Sequence, residues 1–241
     1  MFEYFKIIQK TVVDIENYNF NKYLIIITLS TLLLSLGIVF FVYYFFFSTF
    51  FQVNNFQSQY SFINQIYNSY IFFYVIILIK IFLGFTIVGL IMVPVGTLIT
   101  GIYADKIFDI INDKRSKKYK FKRKDNALYL SLKFSLFCAL RTTLVNILIF
   151  PLYFFIPVGN IFIFVFVNGF FLSKEFLGNF LIQFHDKDYL NNFYALRSTE
   201  LYFLGCVIAF LYTIPIVNFF VPFISNVLFS NIILEDKIKI K

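Results

Sequence analysis

Long stretches of this chain carry no charge. Residues 23–51, 54–79, 81–104, 142–173 and 201–234 contain no Asp, Glu, Lys or Arg, and several exceed the roughly 20 residues an α-helix needs to cross a bilayer. A soluble domain needs charge spread over its surface. With 60% hydrophobic and 14% charged residues over 241 positions, the chain reads instead as an all-α integral membrane protein. A genome-wide bias toward Phe, Ile, Asn and Lys codons would inflate both apolar content and lysine count, but it would not sort the charges into blocks.

Residues 1–19 place Phe5, Ile8, Val12 and Ile15 at helical spacing, with Lys6, Lys10, Asp14 and Glu16 around the rest of the turn. That is the pattern of an amphipathic helix lying in the membrane interface or packed on the protein's own cytosolic side. Two long spans are expected over 23–104, the first from about Tyr23 to Phe51 and the second from near Tyr70 to about Ala104. The first lacks a small-residue cleavage site and reads as a retained anchor. The uncharged VNNFQSQYSFINQIYNS between them is expected to turn on the opposite side. Lys80 lies about ten residues into the second span, where its stem can snorkel to the surface or face a polar interior. Pro94 is expected to kink that span.

Residues 105–126 hold nine Lys or Arg against four Asp. The positive-inside rule makes this a cytoplasmic loop, held by anionic membrane lipids, and no nucleic-acid partner need be invoked. Two later units, 127–173 and 201–234, each contain a proline motif, IPVGN at 156–160 and IPIVN at 214–218. The uncharged limbs around Pro157 are 15 and 16 residues, and those around Pro215 are 14 and 19. Most are short for a full crossing, so two partly penetrating helical hairpins are predicted, with Pro157, Gly159, Pro215 and Pro222 at their apices. A polar linker over 174–200 and a tail over 235–241 complete the chain. Two crossings followed by two hairpins put every charged block, with both termini, in the cytoplasm. Proline suits the first turn of a returning helix, whose free amides attract anions, as in the broken helices of transporters.

The stretch NGFFLSKEF at 168–176, followed by GCVIAFLYTIPIVNFFVPF at 205–223, resembles the CysZ-like membrane family that includes the EI24 proteins. The matching positions are Asn168, Gly169, Ser173, Lys174, Glu175 and Phe176, then Ile214, Pro215, Asn218 and Pro222, with IPVGN similar to the family's earlier hairpin apex. The resemblance implies two long transmembrane helices and two partly penetrating hairpins in a bacterial inner-membrane protein that forms homo-oligomers and is associated with sulfate entry. Where sulfate-associated members carry a small residue followed by Leu-Arg before the first long span, this chain has NYNFNKYL with Lys22.

These features point to a permease or channel for a small inorganic anion, sulfate being the one the resemblance suggests. Arg141 would supply charge at the first hairpin, Lys22 would attract the anion at the cytosolic mouth, and Asn160 and Asn218 would offer neutral donors at the bends. Arg141 and Lys133 have an alternative role as anchors at lipid phosphates. The competing function is a non-catalytic scaffold that organises lipids or proteins. Glu175, Arg197 and Glu200 are expected to make cytosolic contacts, which leaves no acidic residue deep in a span and speaks against proton coupling. Cys138 and Cys206 lie in apolar surroundings as small buried hydrophobes. The single His185, without clustered Cys or carboxylates, offers no metal centre, and no ATP-binding loop is present; neither enzyme nor cofactor is expected.

Overall fold

Inside a bilayer the backbone must satisfy its own polar groups, and a helix does so within one segment. The computed structural model describes residues 2–18, 20–42, 44, 70–114, 123–155, 160–214 and 216–239, and all regular structure among them is helical. The elements are α1 (Phe2–Asn17), α2 (Asn21–Val42), α3 (Tyr70–Lys114), α4 (Ala127–Phe155), α5 (Asn160–Phe184), α6 (Lys187–Leu196), α7 (Ser198–Tyr212) and α8 (Val221–Lys239), with a 3-10 turn at Val217–Phe219 before α8. By length and composition Asn21–Phe41, Ala127–Ile149 and Asn160–Phe184 can each cross a membrane, and α6 and α7 form a fourth apolar unit bent by 91°.

Helices α2 and α4 turn apolar side chains outward and carry small and polar ones among those they bury. On α4, Ser131, Ser135, Ala139, Thr142 and Asn146 are buried while Leu136, Phe137, Leu140, Leu144 and Leu148 are exposed. On α2, Ile27, Thr31 and Ser35 face inward, and Ile25, Leu29, Leu33, Leu36 and Phe40 face outward. Water would punish the outer faces, but lipid tails accept them, and helix association in lipid relies on close packing and hydrogen bonds between helices. Multi-pass membrane character is thus visible in the packing as well as in the composition.

Helices α4 and α5 run antiparallel, since Ser135 meets Asn179, Thr142 meets Glu175 and Asn146 meets Asn168. Helix α7 packs chiefly on α5, and α8 chiefly on α3 and α1. The two limbs of the second proline unit therefore lie mainly against other helices. At the α5–α7 contact a methyl on Gly169 would come within 2.8 Å of the Cys206 backbone nitrogen, and one on Gly205 would collide with the Gly169 carbonyl. Only hydrogen fits at either position.

Several boundaries differ from those charge alone suggests. Helix α3 continues through Pro94 and on to Lys114 because Ala104, Ile107, Phe108 and Ile111 recur at helical spacing and are buried; the basic loop expected over 105–126 is helical in its first ten residues. Helix α5 likewise runs past Ser173 to Phe184, and α6 follows, so the expected linker over 174–200 is mostly helix. With limbs of 29 and 25 residues, the first hairpin is not limited to partial penetration by length. The tail expected from residue 235 is helical through Lys239. Helix α1 packs on α8, with Lys10 Nζ 2.8 Å from Glu235 Oε1 and Thr11 Oγ1 3.5 Å from Asn231 Nδ2; Ile7, Thr11 and Asp14 are buried, and Phe5 and Val12 are exposed. Pro157, Gly159, Pro215, the Lys80 side chain and most of 43–69 lie outside the described residues.

Candidate functional site

The interior of the α4–α5 pair is a polar seam. At one end Ser131 donates to the Gly101 carbonyl of α3 at 3.1 Å and lies 3.2 Å from the Asn179 carbonyl, while Ser135 donates to Asn179 Oδ1 at 2.7 Å. Farther along, Thr142 Oγ1 donates to Glu175 Oε1 at 2.7 Å. At the other end Asn146 and Asn168 bond reciprocally, Nδ2 to Oδ1, at 2.8 and 3.0 Å. From Ser131 to Asn146 is fifteen residues, or about 22 Å of helix, most of the roughly 30 Å hydrocarbon thickness.

The family-like motif occupies α5 where four neighbours meet. Asn168 closes the asparagine pair, and Gly169 admits α7. Ser173 shares a 3.1 Å hydrogen bond with Tyr194 of α6, and Lys174 lies over the Phe170 and Tyr194 rings at 4.8 and 4.7 Å. Glu175 is 2% exposed, and Phe176 packs against Phe229 of α8 with ring centroids 5.8 Å apart. Glu175 therefore lies inside the bundle, between α4 and the core, on a helix long and apolar enough to cross a membrane, which departs from the expectation that no acidic residue lies deep in a span.

Arg141 is exposed on the outer side of α4, with its guanidinium 5.2 Å from the Phe171 ring centroid. Lys22 is exposed in the first turn of α2. Asn160 begins α5, and Asn218 sits in the 3-10 turn with its amide donating to the Ile214 carbonyl at 2.9 Å. Each of these asparagines has a buried Oδ1 without a hydrogen-bond partner among the described residues. Pro222 is buried in the first turn of α8. Among the described residues no hydrogen bond or ion pair joins Arg141, Lys22, Asn160 and Asn218 into one site. Arg197 and Glu200 form a bidentate ion pair at the α6–α7 bend.

The residues that sequence reasoning passed over are uncharged: Thr142, Asn146 and Asn179 on the seam, and Tyr212, Asn226 and Ser230 beyond it. Their signal is periodic. Polar residues at 131, 135, 142 and 146 repeat at helical spacing along one face of an otherwise apolar helix.

At the end where α5 stops, Lys124 donates to Asp186 Oδ1 at 2.7 Å and to the His185 carbonyl at 2.9 Å, and Arg123 reaches Asp109 at 2.6 Å. The Lys124 hydrogen bond and charge hold the Asp186 carboxyl below its ordinary range. Among the described residues no group of three His, Cys, Asp or Glu is placed to hold a metal ion.

A family model described as sulfate transporter CysZ/etoposide-induced protein 2.4 matches residues 17–222, from the end of α1 into the first turn of α8. No curated relative and no solved structure matches the chain.

Proposed function

The chain belongs to the EI24 family, described as sulfate transporter CysZ/etoposide-induced protein 2.4, and from that membership we propose that it is a permease or channel for a small inorganic anion, with sulfate the first candidate. The match over residues 17–222 carries the reading, since it takes in α2 to α7 and the whole α4–α5 seam. The seam is in keeping with it: about 22 Å of hydroxyl and amide side chains, paired with one another across α4 and α5, make the interior polar where an anion would otherwise meet only hydrocarbon. Arg141 supplies the positive charge beside it. No step of catalysis is assigned.

In this reading the basic segment before α4 and both termini face the cytoplasm, following the positive-inside rule. The membrane is the bacterial inner membrane and the working unit a homo-oligomer. Lys22 and the asparagines at 160 and 218 attract or relay the ion at the two ends of the helices.

Reconstituted vesicles test this directly, with labelled sulfate compared against chloride, phosphate and a neutral solute. Selective sulfate uptake, reduced at least about tenfold by Arg141→Ala as expected for loss of a charge-assisted hydrogen bond, supports the permease. Uptake no greater than that of protein-free vesicles for all four solutes ends it and leaves the scaffold that organises lipids or proteins.

A further inference from the structure

Arg141 and Lys174 are the two charges that bound the uncharged stretch 142–173, and the antiparallel pairing of α4 and α5 brings the ends of that stretch together. The Arg141 guanidinium lies 5.2 Å from the Phe171 ring centroid, and the Lys174 ammonium lies 4.8 Å from that of Phe170. The two rings meet edge to face, with centroids 5.4 Å apart. Tyr194 of α6 closes the far side. Its ring lies 6.3 Å from Phe170 and 4.7 Å from the Lys174 ammonium, and its hydroxyl shares a hydrogen bond with Ser173. One continuous belt of cations and rings thus crosses α4, α5 and α6. Cations held over ring faces are positioned rather than free to snorkel. Neither of these two makes a hydrogen bond or an ion pair among the described residues.

On one side of the belt the surface suits hydrocarbon. Leu144, Leu148 and Leu152 of α4 and Phe162 and Phe166 of α5 are exposed. From Arg141 to Phe155, as from Asn160 to Lys174, is fourteen residues, or about 21 Å of helix. That covers one leaflet, half of the roughly 30 Å hydrocarbon layer. On the other side α4 exposes Lys133, over the Tyr129 ring, among Leu136, Phe137 and Leu140, and α5 is buried from Glu175 to Gln183. Unpaired cations interleaved with aromatic rings at the edge of an apolar face are the pattern of a membrane–water interface, where lipid phosphates supply the missing anions. We infer that Arg141, Lys174 and the Phe170, Phe171 and Tyr194 rings bind the headgroup of an anionic phospholipid, whose acyl chains lie along Leu144, Leu148 and Phe166. The match is one of charge and of length: the phosphate brings the negative charge the belt lacks, and the exposed face beyond it is as long as an acyl chain. A second copy meeting this face through its own stretches 142–173 or 201–234 has no carboxylate to offer. The lipid site goes beyond the permease reading and does not rest on it, and Lys174 has no part in that reading.

Native mass spectrometry of the full chain, released from mixed micelles titrated with phosphatidylglycerol or with phosphatidylcholine, reads the site. The wild type should retain phosphatidylglycerol in preference to phosphatidylcholine. Lys174→Gln and Arg141→Gln should each weaken that retention about fivefold, the effect of one lysine or arginine at an anionic surface. Lys174→Arg keeps the charge and should hold the lipid as the wild type does. Lys187→Gln, which removes an exposed charge from the first turn of α6, should leave retention unchanged. Equal retention of the two lipids, or an equal loss in Lys187→Gln and Lys174→Gln, overturns the inference. Inorganic phosphate, titrated without anionic lipid, separates the two sources of the anion: phosphate binding that falls in Lys174→Gln assigns the site to a free oxyanion and overturns the lipid. Associated copies that retain no phosphatidylglycerol assign the face to a second copy and overturn it as well. No flux enters any of these measurements, so the result stands whether or not the chain is a permease.

Discussion

Replacing Asn146 with leucine should expose how much of the α4–α5 contact depends on one pair of side chains. Asn146 and Asn168 are 2% and 0% exposed and exchange two hydrogen bonds of 2.8 and 3.0 Å. Interhelical bonds in membranes average about 0.6 kcal/mol each, so losing both costs about 1.2 kcal/mol. The leucine also strands Asn168 Oδ1, whose donor it removes, adding about 1–3 kcal/mol. Asn168 Nδ2 keeps the Phe164 carbonyl at 3.0 Å and adds no further penalty. Asn146→Leu should therefore destabilise by about 2–4 kcal/mol, and Asn168→Leu by a similar amount. The double substitution strands neither group and should cost far less than the sum, giving a coupling energy of at least about 1.5 kcal/mol. Reversible unfolding of the purified protein in bicelles, followed for the four members of the cycle, measures each value. Additive single effects would refute the reasoning, because independent side chains cannot form a reciprocal pair.

A contrast between two glycines tests the packing at α7. Gly205→Ala puts a carbon into the Gly169 carbonyl and should destabilise by about 1–3 kcal/mol, whereas Gly37, with nothing within 4 Å of the added carbon, should accept alanine at no cost or gain up to about 1 kcal/mol from helix propensity; the same unfolding assay reads both. The clasp at Lys124 and Asp186 should respond to acid. The folded carboxyl is held below its ordinary value, so its contribution is present above the ordinary carboxylate range and fades as pH falls through the depressed value. Exchange protection of the Lys124 amide, which donates to the Gln183 carbonyl at 3.0 Å, should drop below about pH 4, and Asp186→Asn should remove that step.

The architecture was legible where it followed from solvent. Uncharged runs locate α2, the α4–α5 pair, and α7 with α8, because lipid accepts only apolar outer faces. Boundaries were poorly legible where charge was taken as the mark of a loop. Asp105, Asp109 and Lys114 did not stop α3, since Ile107, Phe108 and Ile111 occupy one side of the helix and the charged residues another. The same physics carried α5 through Lys174: its ammonium lies over two aromatic rings while Leu172 and Phe176 enter the core. Counting charges along the chain discards that rotation. Reading positions around the helix retains it.

Charge blocks could place Glu175 only by its neighbours in sequence, Lys174 and the polar residues after it, and so assigned it to the cytosol. Burial is decided by direction. Residues 168, 172, 175 and 179 lie on one side of α5, and all four are buried, with Asn168, Glu175 and Asn179 bonded to Asn146, Thr142 and Ser135 of α4. The family-like motif thus combines two demands in nine residues. Asn168 and Gly169 hold α4 and α7 close, while Glu175 places a carboxyl where that closeness excludes bulk water. If packing were its whole purpose, glutamine at 175 could accept the same Thr142 hydrogen bond without bringing an ionisable group into the bundle. Oε2, buried without a hydrogen bond among the described residues, is the atom at which a carboxyl differs from its amide.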